Sequence, residues 1–203
     1  MKQRLPAFIL FLFLTSSLFG ADRYWVGGSG NWNDPSHWSD SKEGKGGSTI
    51  PGLNDRVFIE TYSPEKEIIT IDAVAACGDL RFDFTSDLGG LLNKLEMTGN
   101  GEINIGSSLY IGTDFTDHFT GTWKLSDQLA CMRDNSLAEI TTNGHIFSGQ
   151  FIFPTLEKNT CINGWSITDK LIVNNTVEVR ENDCLYLSEK AQLAGLKFID
   201  PSK

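Results

Sequence analysis

Two acidic residues, Asp79 and Glu102, are the pair in this chain that could do chemistry. Each opens a short alternating run, "DLRF" and "EINI". Aligned as neighbouring strands, these runs put both carboxylates on one outward column, about 4.8 Å apart. Glycosidases and polysaccharide lyases work with paired acids facing one groove. Arg81 points the same way and could pair with either acid. The column continues as Thr122 and Gly164, so it is not an acidic stack, and a slip of one residue in register would dissolve the pair. The stretch "GTDFTDH" adds Asp114, Asp117 and His118 in a loop. Solvated charge accounts for these acids more simply than catalysis, and no catalytic residue is assigned.

The other routes to chemistry are closed at the level of spacing. His37, His118 and His145 stand far apart, with no His-x3-His pair or flanking Glu to begin a metal site. His37 reads as a packing or capping residue, and His118 and His145 as turn residues. Asp55, in "GLND", reads as an acid bonding local backbone in a turn, since one acid is too few to hold calcium. "GGSG" and "GKGGST" lack the spacing and the strand-then-helix setting of a phosphate loop. No G-x-S-x-G elbow is present. Neither a metal nor a cofactor is expected.

Aromatic side chains are the remaining resource. "RYWVGGSGNWNDPSHWSD" holds Trp25, Trp32 and Trp38 among glycines and asparagines. Their faces could stack on sugar rings. Alternatively they could close one end of a fold, because a tryptophan supplies much apolar area from one residue. Spacings of seven and six residues do not set a flat row, which favours an end cap. Gly27, Gly28 and Gly30 would let the chain turn tightly over that end. Asp34-Pro35 could start one helical turn, with Asp as N-cap and Pro first inside, and Trp38 would then lie inward. Tyr110 and Tyr186 are the candidate ligand-binding aromatics elsewhere.

The elements that must position these groups are short strands. From Val57 onward come "RVFIE", "IITID", "DLRFDF", "KLEMT", "EINIGSSLYIG", "GTWKLS", "AEITT", "GQFIFP", "WSITDKLIV", "TVEVR" and "CLYLS". Each alternates apolar and polar residues between turn signals. Leu91–Met97 is the nearest approach to a helix and is too short. Apolar positions beginning at Leu80, Ile103, Trp123, Ile146, Trp165 and Leu185 recur at 23, 20, 23, 19 and 20 residues, a mean of 21. Turn signals recur with them, in "TGNG", "TNG" and "NG". A degenerate repeat near 21 fits one coil of a parallel β-solenoid, whose strands bury a core only when stacked. Three segments follow: a leader over 1–20, a Trp/Gly-rich cap and loop over 21–56, and β-solenoid coils over 57–203.

Composition bounds the partners. Lys2 and Arg4 followed by "AFILFLFLTSSLFG", with Gly20-Ala21 as the cut, form a secretory signal peptide. The whole 203-residue chain has 17 Lys+Arg and 26 Asp+Glu, net −9. Removing Lys2 and Arg4 leaves 15 against 26, net −11. Such a charge disfavours nucleic acid and anionic lipid and suits an exported protein that stays apart from its copies. No membrane span is expected after cleavage. The cysteines Cys77, Cys131, Cys161 and Cys184 form no CxxC pair. Export permits disulfides, with three pairings open, while burial as small apolar residues is equally in keeping with the sequence. Cys161 and Cys184 lie 23 apart, near one coil, and could stack within disulfide reach.

The block "YWVGGSGNWNDPSHWS", followed by "IPGLNDRVFIE" and "ITIDAVAACGDLRF", resembles the start of large surface-exposed repeat proteins of Gram-negative bacteria. In that family a W-x-G-G-x-G-N-W-x5-W block precedes P-x3-D-x-V-x-F and then I-D-x4-C-x2-L. The match runs from Tyr24 to about Phe82. "HFTGTWKL" and "ITTNGHIFSGQFIF" carry a weaker likeness in texture. The resemblance implies an all-β, right-handed parallel β-helix, an adhesin-like role and export by the type IX route. Family members are longer and end in a sorting domain, whereas here "LKFIDPSK" has none after it. The chain therefore reads as a short stand-alone member or as the amino-terminal piece of an interrupted gene.

The resulting expectation is a non-enzymatic β-solenoid, secreted or on the outer cell surface after passing the periplasm, with a structural or adhesive role. Its expected partners are an extracellular glycan or another surface protein, with self-association through the last coil. A carbohydrate-binding module is the second reading, and a glycan-cleaving enzyme using Asp79 and Glu102 the third.

Overall fold

The computed structural model describes residues 20–60, 65–83, 95–112, 115–125, 138–143 and 145–153 with their side chains, Ala138 being described by its backbone alone. It also describes the strands at 165–167, 170–179, 185–187 and 192–196 by their backbone, with side chains at Ile172 and Val173. The leader through Phe19 lies outside this set, as do Cys131, Cys161, Cys184, Asp114, Gly164 and the last seven residues. The Cys161–Cys184 pairing and the closure of the carboxyl-terminal coil therefore fall outside the described residues.

The protein is all-β, and its strands form three sheets. The first contains β1 (Asp22–Trp25), β3 (Trp38–Ser39), β4 (Arg56–Ile59), β7 (Asp79–Phe82), β10 (Leu109–Ile111), β13 (Ala138–Thr141), β16 (Trp165–Ile167) and β18 (Leu185–Leu187). Its order is β18-β16-β13-β10-β7-β4-β1-β3. The second holds β2 (Gly30–Asn31), β5 (Glu67–Thr70), β8 (Leu95–Gly99) and β11 (Thr116–Phe119), in the order β11-β8-β5-β2. The third holds β6 (Val74–Cys77), β9 (Glu102–Ile105), β12 (Thr122–Leu125), β14 (Ile146–Phe147), β15 (Gln150–Phe153) and β17 (Lys170–Val179), ordered β14-β17-β15-β12-β9-β6, with β19 (Gln192–Leu196) also paired to β17. Through the middle of the chain each strand pairs with the strand three places on. Among the described pairs only β1–β3 is antiparallel. The segment around Leu91–Met97 contributes strand β8 from Leu95 onward, as its Leu-x-Met alternation requires.

Alternation builds the interior. In β9 Ile103 and Ile105 are buried while Glu102 and Asn104 are half-exposed. Paired strands place like residues over like, so inward columns form: Val57–Leu80–Leu109–Ile140 in the first sheet and Ala75–Ile103–Trp123–Phe151 in the third. These join one buried apolar cluster that runs from Trp25 to Phe153 and includes Val173. Each large side chain taken fully from water contributes about 1.5–3 kcal/mol, so a continuous column stabilises strands that are too short to stand alone.

The expected repeat of 21 is corrected. Ile103 does stack under Trp123, 20 positions on, and Trp165 under Leu185, also 20. Leu80, however, stacks on Leu109, 29 positions on, and Leu109 on Ile140, 31 on. Leu80 and Ile103 belong to different sheets, so their spacing of 23 joined unlike positions. The cause is connections of unequal length: twelve residues separate Phe82 from Leu95, and three separate Ile105 from Leu109. A steadier marker is the glycine directly ahead of β9, β12 and β15, namely Gly101, Gly121 and Gly149. Glu102, Thr122 and Gln150 donate their amides to the carbonyls of Ala73, Gly101 and Gly121. A Cβ on Gly101 would come 2.2 Å from the Ala73 oxygen, and one on Gly121 would come 2.1 Å from the Gly101 oxygen. These turns close up only because the side chain is missing.

Candidate functional site

The tryptophan block builds the end of the molecule where β1, β2 and β3 lie. Asp34 accepts the Ser36 amide at 2.9 Å and starts a 3-10 turn over Pro35–His37, as the Asp-Pro pair predicts. That hydrogen bond holds the Asp34 carboxyl below its ordinary value. The turn delivers Trp38 into β3, where it is 0% exposed. Its ring meets Trp25 edge-on at 5.2 Å and Trp32 at 4.8 Å, and its Nε1 donates to the Trp32 carbonyl at 2.6 Å. Trp25 donates to the Gly28 carbonyl at 3.0 Å, and its face is covered by His37 at 4.9 Å and 9°. The Nδ1 atom of His37 faces the Val26 carbonyl at 3.2 Å, which only accepts, so that nitrogen carries the proton. Gly28 turns with φ of +79°, where a side chain would be strained. All three tryptophans are buried, so none offers a face to a sugar.

Asp55 ties this end together. Its two carboxylate oxygens accept the amides of Ala21 at 2.8 Å and Gly52 at 2.9 Å, and its carbonyl accepts the Gly78 amide at 2.7 Å. The Gly52 contact is the local turn bond read in the sequence, whereas Ala21 lies 34 positions away. Arg23 lies 3.8 Å from Asp55 and also binds Asp40, Ser48 and Thr49, which ties the Gly-rich loop to β1.

Asp79 and Glu102 are not brought together. Asp79 lies in the first sheet opposite Arg56, and its carboxylate accepts the Ser108 amide at 3.2 Å. Glu102 lies in the third sheet between Val74 and Thr122, accepts Asn104 Nδ2 at 2.9 Å and has Lys124 at 3.7 Å. Both runs begin with an acid before Leu-x-Phe or Ile-x-Ile, and that shared pattern cannot say which sheet a strand joins. Arg81 approaches neither acid. It lies 3.6 Å from Asp83 and its guanidinium sits 4.6 Å over the Tyr110 ring.

Tyr110 belongs to an outward column of the first sheet, Tyr24–Phe58–Arg81–Tyr110–Thr141. Tyr24 and Phe58 stack at 4.9 Å and 14°. Partial burial, with Asp22 and Glu60 nearby, raises the Tyr24 hydroxyl pKa. Ring faces in this ladder are turned to one another, and one face of Tyr110 is taken by Arg81. A ladder of this kind stiffens a sheet. Tyr186 pairs with Ser166 through its backbone, and its side chain lies outside the described residues.

Sequence reasoning missed two inward acids. His145 is not a turn residue on the surface: it is 2% exposed, stacked on Phe115 at 4.2 Å and edge-on to Phe147, with its Nε2 3.6 Å from Asp117. Asp117 faces inward opposite Met97 and accepts the amides of Phe119 and Ser148. His118 lies on strand β11 opposite Thr98. The cue was the alternation of "TDHF", which sets Asp117 and Phe119 on one face. Glu67 likewise occupies an inward position, opposite Leu95 and two residues from Ile69. Among the described residues no three His, Cys, Asp or Glu converge as metal ligands would. No helix among them is long and apolar enough to cross a membrane. Compared with family models, curated proteins and solved structures, the chain finds no match in any of the three.

Proposed function

We propose that this chain is an exported, non-enzymatic β-solenoid that serves as a structural or adhesive module at the outer cell surface. The observation that supports the winding is the shift of three: β4–β7–β10, β5–β8–β11 and β6–β9–β12 are parallel neighbours in three sheets. A chain that visits three sheets in turn and returns parallel to itself traces one coil per three strands. Parallel connections of this kind are right-handed in about 98% of cases. The tryptophan block is then the cap that such a stack needs.

The surface role rests on the apolar leader and the net acidic charge of the sequence, and on the outward columns just described. A stiff rod with regular charged and aromatic rows suits display of a binding face to an extracellular glycan or a surface protein. Small-angle scattering tests the winding, since a rod growing by about 4.8 Å per coil has a cross-section that a compact sandwich lacks. Adhesion is tested with beads coated in the purified protein and held under flow on glycan- and protein-coated glass. Retention above albumin-coated beads is expected. Cleavage of a polysaccharide, lost on Glu102→Gln, would overturn the non-enzymatic reading.

A further inference from the structure

Beside the cap lies an open depression of ≈ 250 Å³ lined by Trp25, Val26, Gly27, Glu43, Gly44, Glu60 and Glu67. Three of its seven lining residues are glutamates. Glu67 is the unusual one. It is only 8% exposed, stands on the core side of β5, and its side chain has no hydrogen bond or ion pair among the described residues. A buried carboxylate is costly to leave without a partner, and this one borders a space large enough to admit one. Glu60 is partly neutralised by Lys42 at 2.8 Å. Glu43, on the exposed loop, is held at a positive φ of 57°. Among the described residues Lys42 is the cation paired with one of the three acids, so the lining keeps a net negative charge.

We propose that this depression binds an organic cation, a primary ammonium or a guanidinium on a short apolar stem. The glutamates would take the charged head while the stem lies along Val26 and Gly27, beside the small part of Trp25 that borders the space. A metal ion does not fit, because hard cations need oxygens converging at about 2.0–2.6 Å and these carboxylates do not converge. An oligosaccharide does not fit either, since the space is below the roughly 300–1,000 Å³ of sites for larger ligands. The size suits one Lys or Arg side chain, or one small amine. The head could thus come from a free small molecule or from a basic residue of a protein partner. The inference rests on the cap geometry alone and stands apart from the adhesive reading.

The test is titration of the purified full-length protein, followed by calorimetry and tryptophan emission, with three probes. These are agmatine, a Gly-Lys-Gly-Arg-Gly peptide with blocked ends, and N-butylurea as an uncharged control. Saturable binding of a charged probe, without binding of N-butylurea, is expected, and it should weaken at least tenfold in Glu67→Gln. Agmatine binding alone would point to a free amine, and peptide binding alone to a partner's side chain. Glu43→Gln changes only an exposed loop residue, so it tests the same point if Glu67→Gln disturbs folding, with a threefold or greater loss expected. Binding of neither charged probe, or equal binding of N-butylurea, would overturn the proposal. Affinity unchanged in both variants would overturn it too.

Discussion

Trp38→Ala should loosen the amino-terminal end more than any outward substitution of similar size. Truncating a buried aromatic costs about 3–5 kcal/mol from lost transfer energy and the cavity left behind. Trp38 also makes two edge-to-face contacts, with Trp25 and Trp32, each worth about 0.5–1.5 kcal/mol beyond area. Its Nε1 is the donor to the Trp32 carbonyl, and a buried acceptor left bare costs about 1–3 kcal/mol. These contributions overlap, so the expected loss lies at the top of the cavity range, near 5 kcal/mol. Trp38→Phe keeps a ring but not the donor and should lose about 2 kcal/mol. Tyr110→Ala, on the outward ladder, should lose about 1 kcal/mol or less. Urea unfolding followed by far-ultraviolet circular dichroism gives all three, because backbone signal is unaffected by which tryptophan is removed. Domains commonly have about 5–15 kcal/mol of stability, so Trp38→Ala should shift the midpoint severely. A loss below about 1 kcal/mol, or a ranking with Tyr110→Ala above Trp38→Phe, would refute the cap as the reason for the tryptophans.

Gly121→Ala should cost at least about 2 kcal/mol, because its Cβ would meet the Gly101 carbonyl at 2.1 Å. Gly28→Ala, strained in backbone but with nothing within 4 Å of its Cβ, should cost about 1 kcal/mol, and thermal melts of the pair would separate crowding from strain. Asp55→Ala removes the acceptor of two amides and should lose about 1–3 kcal/mol, with faster hydrogen exchange at Ala21 and Gly52. Cys77 is fully buried, and burial, reinforced by Asp79 and Asp55, pushes its thiol pKa well up. It should resist iodoacetamide in the native protein and react after urea. The fold favours its protonated form, so its contribution is present below the unfolded thiol value of about 8.5 and declines as pH rises from there toward the folded value. Midpoints that rise between pH 8 and pH 10 would contradict this.

The all-β class and the turn that carries Trp38 inward were legible because both are local. Alternation marks each strand without reference to its neighbours, and Asp34-Pro35 specifies its turn within four residues. The stacking of strands was legible only where a connection was short, as from Ile103 to Trp123. Elsewhere the partner of a strand depends on how many residues the intervening turns consume, and alternation carries no information about that. The separation of Asp79 from Glu102 follows directly. Glu67, Asp117 and His145 were missed for a different reason. The run "IITID" begins after Glu67 and "GTDFTDH" reads as a loop, yet the strands "EIIT" and "TDHF" put a charged residue at inward parity with Ile69 and Phe119. Parity, read without regard to residue type, would have found the two acids, while His145, next to a turn, is identified by its aromatic neighbours alone.

The three sheets meet their amino-terminal edges in different ways, and the differences explain the composition of this end of the protein. An exposed strand edge recruits other chains unless it is short, covered or charged. The first sheet ends in β3, two residues long and antiparallel, backed by the Arg23-fastened loop. The second ends in β2, again two residues, after which the Trp32 amide still donates to the Thr70 carbonyl. The third has no added strand, and β6 itself is the edge, with Val74 64% exposed. There the Asn33 amide donates to the Val74 carbonyl at 3.3 Å, and the Asp55 carbonyl accepts from Gly78 at 2.7 Å. Two polar contacts thus bracket Ala76, and a docking strand would have to displace both. Asn33→Ala removes one guard without touching the core. If edge protection is its role, this variant should keep its melting temperature within about 2 °C, since surface changes fall within about ±0.5 kcal/mol, yet gain concentration-dependent mass in light scattering. A variant that stays at one mass over the same concentrations would show that β6 needs no such guard.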